Sequence, residues 1–178
     1  GEFETNEDYM PFIHSLQQGQ ENTVTGNLTV SVCGGNTANT EFEFLTGHTM
    51  DYFPVGSIPY QQYIMGELPS LASQLAELGY ATYGMHPYNS TGWKRNQVYP
   101  WLGFEESYFI RDFTSRHYIR DYVSDQTAYQ KIIDIYEEKE AGKPTFIFEV
   151  TMQNHGGYTE KYENFTSDVH ATDLNSAQ

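Results

Sequence analysis

The chain has 178 residues with 9 basic and 24 acidic side chains, a formal net charge of −15. That length allows one domain or a large piece of one, and so acidic a balance argues against a nucleic-acid backbone as partner. Cys33 is the single cysteine, which excludes an internal disulfide framework, and no run reaches the ~18 apolar residues of a membrane span.

Residues 1–9 are polar and acidic, and Met10 to Leu16 then predicts a short helix with Phe12, Ile13 and Leu16 on one side. After a polar connection, the β-branched run Leu28-Thr29-Val30-Ser31-Val32 predicts a strand. It leads into Cys33-Gly34-Gly35-Asn36-Thr37, after which Phe42 and Leu45 predict a helical turn or two stopped at Gly47. A strand, a glycine pair and a helix start place Thr37 at or beside a helix N-terminus, where unpaired N–H groups and the dipole favour an anion. Thr37 or Asn36 equally reads as the cap of that helix. Cys33 reads as buried packing at the strand end, or as a nucleophile with His155.

His48 to Gly66 is irregular and long for a loop within a compact domain. Ser70 to Leu78 predicts a clear helix, with Leu71, Leu75 and Leu78 on one face, Ser70 able to cap, and Gly79 as the stop. Tyr80 to Met85 predicts a strand ending at His86-Pro87, and its pairing with the first strand suggests a right-handed crossover. A loop, Trp93-Lys94-Arg95-Asn96, and a short aromatic helix through Trp101 follow, whereas Glu105 to Tyr122 gives no clear assignment. A second strong helix, capped by Ser124 or Asp125, runs to about Glu140 with Tyr129, Ile132, Ile133 and Tyr136 inward. Thr145 to Thr151 is nearly all apolar, as for a strand buried on both faces of a parallel sheet. It runs into Gln153-Asn154-His155-Gly156-Gly157, and residues 159–178 form a polar tail.

Three predicted strands thus end in three polar loops, and open α/β sheets bind ligands outside the carboxyl ends of their strands. Thr37, His86, Trp93, Arg95 and His155 would then share one cleft. Arg95 offers a bidentate fork for a phosphate or sulfate. His86 and His155 can donate to its oxygens or move a proton, and Trp93 gives an apolar wall. Each has a plainer reading as well: a satisfied strand-end histidine, a packing tryptophan, a surface ion pair and a turn. No dinucleotide or P-loop fingerprint is present, so Gly34-Gly35 does not mark a nucleotide site.

Four stretches between Asn22 and Tyr158 fit together as an ordered set. They are Gly35-Asn36-Thr37-Ala38-Asn39-Thr40-Glu41-Phe42, His86 through Asn96, Leu102-Gly103-Phe104, and Val150-Thr151-Met152-Gln153-Asn154-His155. In this order they resemble the lipoteichoic acid synthase family of sulfatase-like phosphoglycerol transferases. The motifs of that family are G-K-T-S-D-x-E-F, H-G-x-Y-K-x-F-W-N-R-D, L-G-Y/F and T-x-T-N-H. The resemblance implies an α/β, alkaline phosphatase-like fold with a mostly parallel sheet flanked by helices, here as one partial domain over residues 1–178.

It further implies that Thr37 is the nucleophile and one ligand of a divalent cation, manganese or magnesium. His86, Trp93, Arg95 and His155 would hold a glycerophosphate group. The implied reaction moves that group from phosphatidylglycerol to a hydroxyl acceptor, a polymer or glycolipid, through a phospho-threonine intermediate. The family also uses a Glu after an earlier strand and an Asp-His pair, so the expectation is a central fragment with weak cation binding and little turnover of its own. The fragment itself would be soluble, and the whole protein would be anchored at the extracellular face of a bacterial membrane. A phosphoethanolamine transferase, a sulfate or phosphate ester hydrolase, and a catalytically dead binding domain on the same fold are the alternatives.

Overall fold

The computed structural model describes residues 4–33 and 35–172. The chain divides into two compact units, Gly1–Thr29 with Lys161–Gln178, and Val30–Glu160. In the first, helix α1 (Pro11–Gln17) starts on a proline, whose fixed φ suits the first helical position. The helix is where the sequence predicts it, yet it buries none of its residues, and Phe12 is 70% exposed. Thr5 bridges Ala171 within this unit.

The second unit runs α2 (Thr37–Thr46), α3 (Pro59–Gln62), α4 (Leu71–Glu77), β1 (Ala81–His86), α5 (Arg95–Trp101), β2 (Glu106–Phe109), β3 (Tyr118–Ile119), β4 (Tyr122–Val123), α6 (Asp125–Glu138) and β5 (Thr145–Glu149). Ser70 caps α4 in a reciprocal box with Ser73. Ser124, rather than Asp125, caps α6 through the Thr127 N–H. Strands β2, β1 and β5 form one parallel sheet in that order, with Tyr83 opposite both Glu106 and Ile147. Strands β3 and β4 make a separate antiparallel hairpin within the stretch left unassigned from sequence.

Side-chain alternation along the strands divides the core between the two sheet faces. Phe146 and Phe148 pack with Phe42, Leu45, Tyr99, Leu102 and Phe104, which come from α2, α5 and the turn after α5. Ile147, Tyr83 and Met85 pack with Ala128, Ile132 and Ile135 of α6. Gly84 lies where a Cβ would come within 2.6 Å of the Tyr99 ring, so the small residue lets α5 close on the sheet. Gly103 combines φ +89° with a backbone approach of 2.6 Å from the built Cβ to Ser73 Cα, which accounts for glycine in the Leu102-Gly103-Phe104 motif.

Four expectations from sequence are corrected. Leu28–Val32 forms no strand: Leu28 is 80% exposed, and the run has no ladder partner among the described residues. A β-branched run becomes a strand only where a neighbour takes its backbone groups, so the crossover expected from it is absent as well. Cys33, next to that run, is exposed rather than packed. On α6, Tyr129, Ile133 and Tyr136 are exposed, and Ala128 and Ile135 are the buried residues. The helix presents its Ala128–Ile135 side to the sheet because that side lets it pack closely. Finally, β5 is half-buried throughout, whereas the central strand β1 is the deeply buried one.

Candidate active site

The sheet places the site. The chain leaves β1 to form β2 on one side and returns to form β5 on the other, so the strand order reverses at the carboxyl end of β1. Crevices of this kind are where open α/β sheets bind ligands. His86 is the last residue of β1, and β5 ends one residue before Val150.

A cavity of about 430 Å³ opens there, and all five residues singled out from sequence line it: Thr37, His86, Trp93, Arg95 and His155. Gln61, Tyr88, Asn89 and Thr151 add polar groups to its wall. Thr37 reaches the cavity as the first residue of α2. Asn36 holds the cap position in the left-handed region (φ 57°), with no side-chain cap bond. The cap reading of Thr37 is therefore replaced: its hydroxyl stands at the end of a ten-residue helix where N–H groups point outward.

His86 is 3% exposed, and its Nδ1 lies 2.7 Å from the Val150 carbonyl. A carbonyl only accepts, so Nδ1 carries the proton and Nε2 keeps its lone pair. Burial, and next the positive charge of Arg95, push the pKa down to about 4, against the opposing pull of the Val150 hydrogen bond. At neutral pH His86 is thus an uncharged ring that accepts a proton or a hydrogen bond through Nε2.

Arg95 opens α5 at 2% exposure. Its Nε donates to Glu41 Oε2 at 3.1 Å, a second guanidinium nitrogen donates to Glu41 Oε1, and the Tyr99 hydroxyl donates to Glu41 Oε2 at 3.1 Å. Burial opposes the guanidinium charge, but the Glu41 hydrogen bonds and charge outweigh it and raise the Arg95 pKa. The fork anticipated for a ligand is therefore engaged by Glu41. The remaining nitrogen donates to the Gly92 carbonyl at 3.3 Å.

Trp93 and Lys94 both adopt left-handed backbone conformations, φ 55° and 57°. Two such residues in a row are costly without glycine and are held here by local bonds. Lys94 Nζ donates to the Gln61 carbonyl at 2.9 Å, and Asn89 Oδ1 accepts from the Thr91 N–H and hydroxyl. His155 sits on the loop after β5, with its Nδ1 3.2 Å from the Tyr122 hydroxyl.

Glu41 is the site residue that sequence reasoning passed over. It lies on the helix stripe of Ala38, Phe42 and Leu45, and a carboxylate inside an apolar stripe signals a buried partner. Among the described residues, no group of three or more His, Cys, Asp or Glu side chains is placed to hold a metal ion. Of the oxygen and nitrogen donors expected around a divalent cation, the described residues thus offer the Thr37 hydroxyl in the cavity as one ligand. Nor, among the described residues, is any helix long and apolar enough to cross a membrane.

Comparison with known proteins adds four likenesses. The family model Sulfatase matches residues 2–177. A protein of Rhizobium meliloti (strain 1021), named for cyclic beta-1,2-glucan modification, is 38% identical over 151 residues, 85% of this chain and 22% of its own length. The chain thus spans about a fifth of that relative. Among solved structures, the Streptococcus pyogenes phosphoglycerol transferase GacH in complex with sn-glycerol-1-phosphate superposes with a TM-score of 0.72 at 23% identity, over 97% of this chain and 45% of that one. The lipoteichoic acid synthase LtaP from Listeria monocytogenes superposes with a TM-score of 0.64 at 24% identity, over 71% of this chain and 30% of that one.

Proposed function

The chain belongs to the sulfatase family, and on that footing we propose that it carries the nucleophile and headgroup pocket of a phosphoglycerol transferase. Its parallel sheet with helices on both faces is the sulfatase/alkaline phosphatase-like fold. The observation that carries the proposal is the shared cavity: Thr37, at a helix N-terminus, lines the same space as His86, Trp93, Arg95 and His155.

The donor is an anionic glycerophospholipid headgroup of the phosphatidylglycerol type. Thr37 Oγ attacks phosphorus, the P–O bond to diacylglycerol breaks, and the leaving alkoxide takes a proton to become diacylglycerol. A hydroxyl of the acceptor then attacks the glycerophospho-threonine and releases Thr37. The helix N-terminus and the positive charge of Arg95 in the cavity wall favour the charge on the phosphoryl oxygens. Neutral His86 accepts from a hydroxyl, which suits the glycerol part of the group rather than its phosphate. Trp93 covers the apolar side. A divalent cation, manganese or magnesium, would supply charge neutralisation and acidify the threonine hydroxyl when bound, with ligands beyond this chain completing its site. A glycan is the favoured acceptor, by analogy with the Rhizobium relative named for glucan modification. The activity belongs to the whole protein, exported and membrane-anchored so that it meets lipid headgroups.

The test is the full-length protein with Thr37→Ala, assayed with phosphatidylglycerol labelled in the glycerol headgroup. Release of labelled glycerophosphate falls to background while the protein stays folded; transfer at the wild-type rate overturns the proposal.

A further inference from the structure

The two pocket histidines are held by different kinds of partner. His86 Nδ1 faces a carbonyl, which only accepts. His155 Nδ1 faces a phenol, which can donate. We propose that Tyr122 is a positioning residue that holds His155 as its Nε2–H tautomer, so that His155 donates a hydrogen bond to the phosphate-bearing group while His86 accepts one from a hydroxyl. The role of the bound group rests on the transferase reading above; the tautomer itself does not.

Two ring contacts make Tyr122 a fixed support. Its ring meets the His155 imidazole edge-on, with centroids 5.5 Å apart at 72°, so the phenol is aligned with the ring it contacts. The other side of Tyr122 packs against Tyr88 at 5.9 Å, and Tyr88 packs edge-on against His86 at 6.1 Å. The pair of histidines is therefore joined through two tyrosine rings.

The hairpin that presents Tyr122 also grips the His155 loop directly. Arg120, in the turn between β3 and β4, donates to the carbonyls of His155 at 3.1 Å and Gly157 at 2.9 Å. Its guanidinium lies 4.1 Å from the centroid of the Tyr158 ring. Arg120 is 6% exposed and adopts φ 56°, a left-handed conformation that a residue other than glycine holds only where its surroundings fix it. Backbone and side chain of His155 are thus held by one short hairpin, through residues 33 and 35 positions earlier in the chain, that does not itself line the cavity. A phenol O–H is a stronger donor than acceptor toward a neutral imidazole nitrogen, which leaves Nε2 with the proton.

The experiment uses the full-length protein labelled with 15N-histidine, as wild type and as Tyr122→Phe, which keeps the ring and removes the hydroxyl. In the wild type, His155 Nδ1 shows the shift of an unprotonated nitrogen and Nε2 that of a protonated one; in Tyr122→Phe the two tautomers mix. With phosphatidylglycerol as donor, kcat for glycerophosphate release falls about ten- to a hundredfold in Tyr122→Phe, the order of loss seen when the partner orienting a metal-ligating histidine is removed. An Nδ1–H tautomer in the wild type, or a tautomer unaltered in Tyr122→Phe, overturns the proposal. If Thr37→Ala leaves transfer intact while Tyr122→Phe still mixes the tautomers, the transferase reading fails and the role of Tyr122 stands.

Discussion

Glu41 and Arg95, 54 residues apart in sequence, meet in a two-point ion pair with side chains only 2% and 3% exposed. The pair ties α2, which carries Thr37, to α5, which follows Trp93. It therefore sets the distance between Thr37 and the Trp93 side of the cavity. A buried pair of this kind gains little over apolar residues of equal size, but removing one partner leaves a bare charge in the interior.

Glu41→Gln should accordingly lower unfolding stability by about 3–5 kcal/mol, because the Arg95 charge is then uncompensated. Urea denaturation measures it. Arg95→Lys should also lose stability, since an ammonium cannot make the same two-point contact. A Glu41→Gln midpoint equal to that of the wild type would show that the pair is not buried in solution.

Gly103 predicts a second loss of a different origin. Alanine there would need a left-handed φ of +89° and a Cβ 2.6 Å from Ser73 Cα, which is backbone and cannot swing away. Gly103→Ala should cost roughly 2–4 kcal/mol in thermal or chemical unfolding, from overpacking and strain together. Gly142→Ala is the control: its φ is also positive, but nothing lies within 4 Å of the added carbon, so its cost should be near 1 kcal/mol.

His86 titrates below the ordinary histidine range. Its folded pKa of about 4 lies under the 6.5 of an exposed ring, so the unfolded chain takes up a proton that the folded one resists. The stability this neutral ring contributes is present above pH 6.5 and is lost as pH falls toward 4. An NMR titration should find the His86 ring uncharged at pH 5.5. A midpoint near 6.5 would mean that the ring is exposed and the Val150 hydrogen bond is open.

Glu149 behaves in the opposite sense. Both of its carboxylate oxygens are buried without a hydrogen-bond partner, and burial, then the Asp125 charge, raises its pKa to about 8. The folded protein keeps that proton where the unfolded chain has lost it, so stability falls as pH rises from about 4.5 to 8 and levels off beyond. Glu149→Gln removes this slope. It should match the wild type near pH 4.5 and exceed it by roughly 1–3 kcal/mol at pH 8.5, the cost of a buried unpaired polar group. Parallel stability–pH curves for the two proteins would refute it.

The helices around residues 70–78 and 125–140 were legible from their serine caps and the glycines that follow, although on the second the apolar spacing pointed to the wrong face. The strands at 81–86 and 145–149 were legible as apolar or β-branched runs that find partners. Leu28–Val32 looked equally strand-like and is not one, since pairing is a property of a neighbour and not of the run itself. The β3–β4 hairpin was illegible for the converse reason: two-residue strands have too little alternation to register, yet Arg120 and Tyr122 are positioned by them.

The sequence alone determined which residue types could meet a phosphate group: a threonine after glycines, two strand-end histidines, a tryptophan and an arginine. Those are local properties, written as composition and spacing. The tertiary structure decided what each can do. It seated Glu41 on Arg95 and gave the remaining guanidinium nitrogen to the Gly92 carbonyl. It set a carbonyl against one histidine and a phenol against the other. Hydrogen-bond direction, burial and charge pairing arise between residues 33 to 64 positions apart, and only the folded chain brings those groups together.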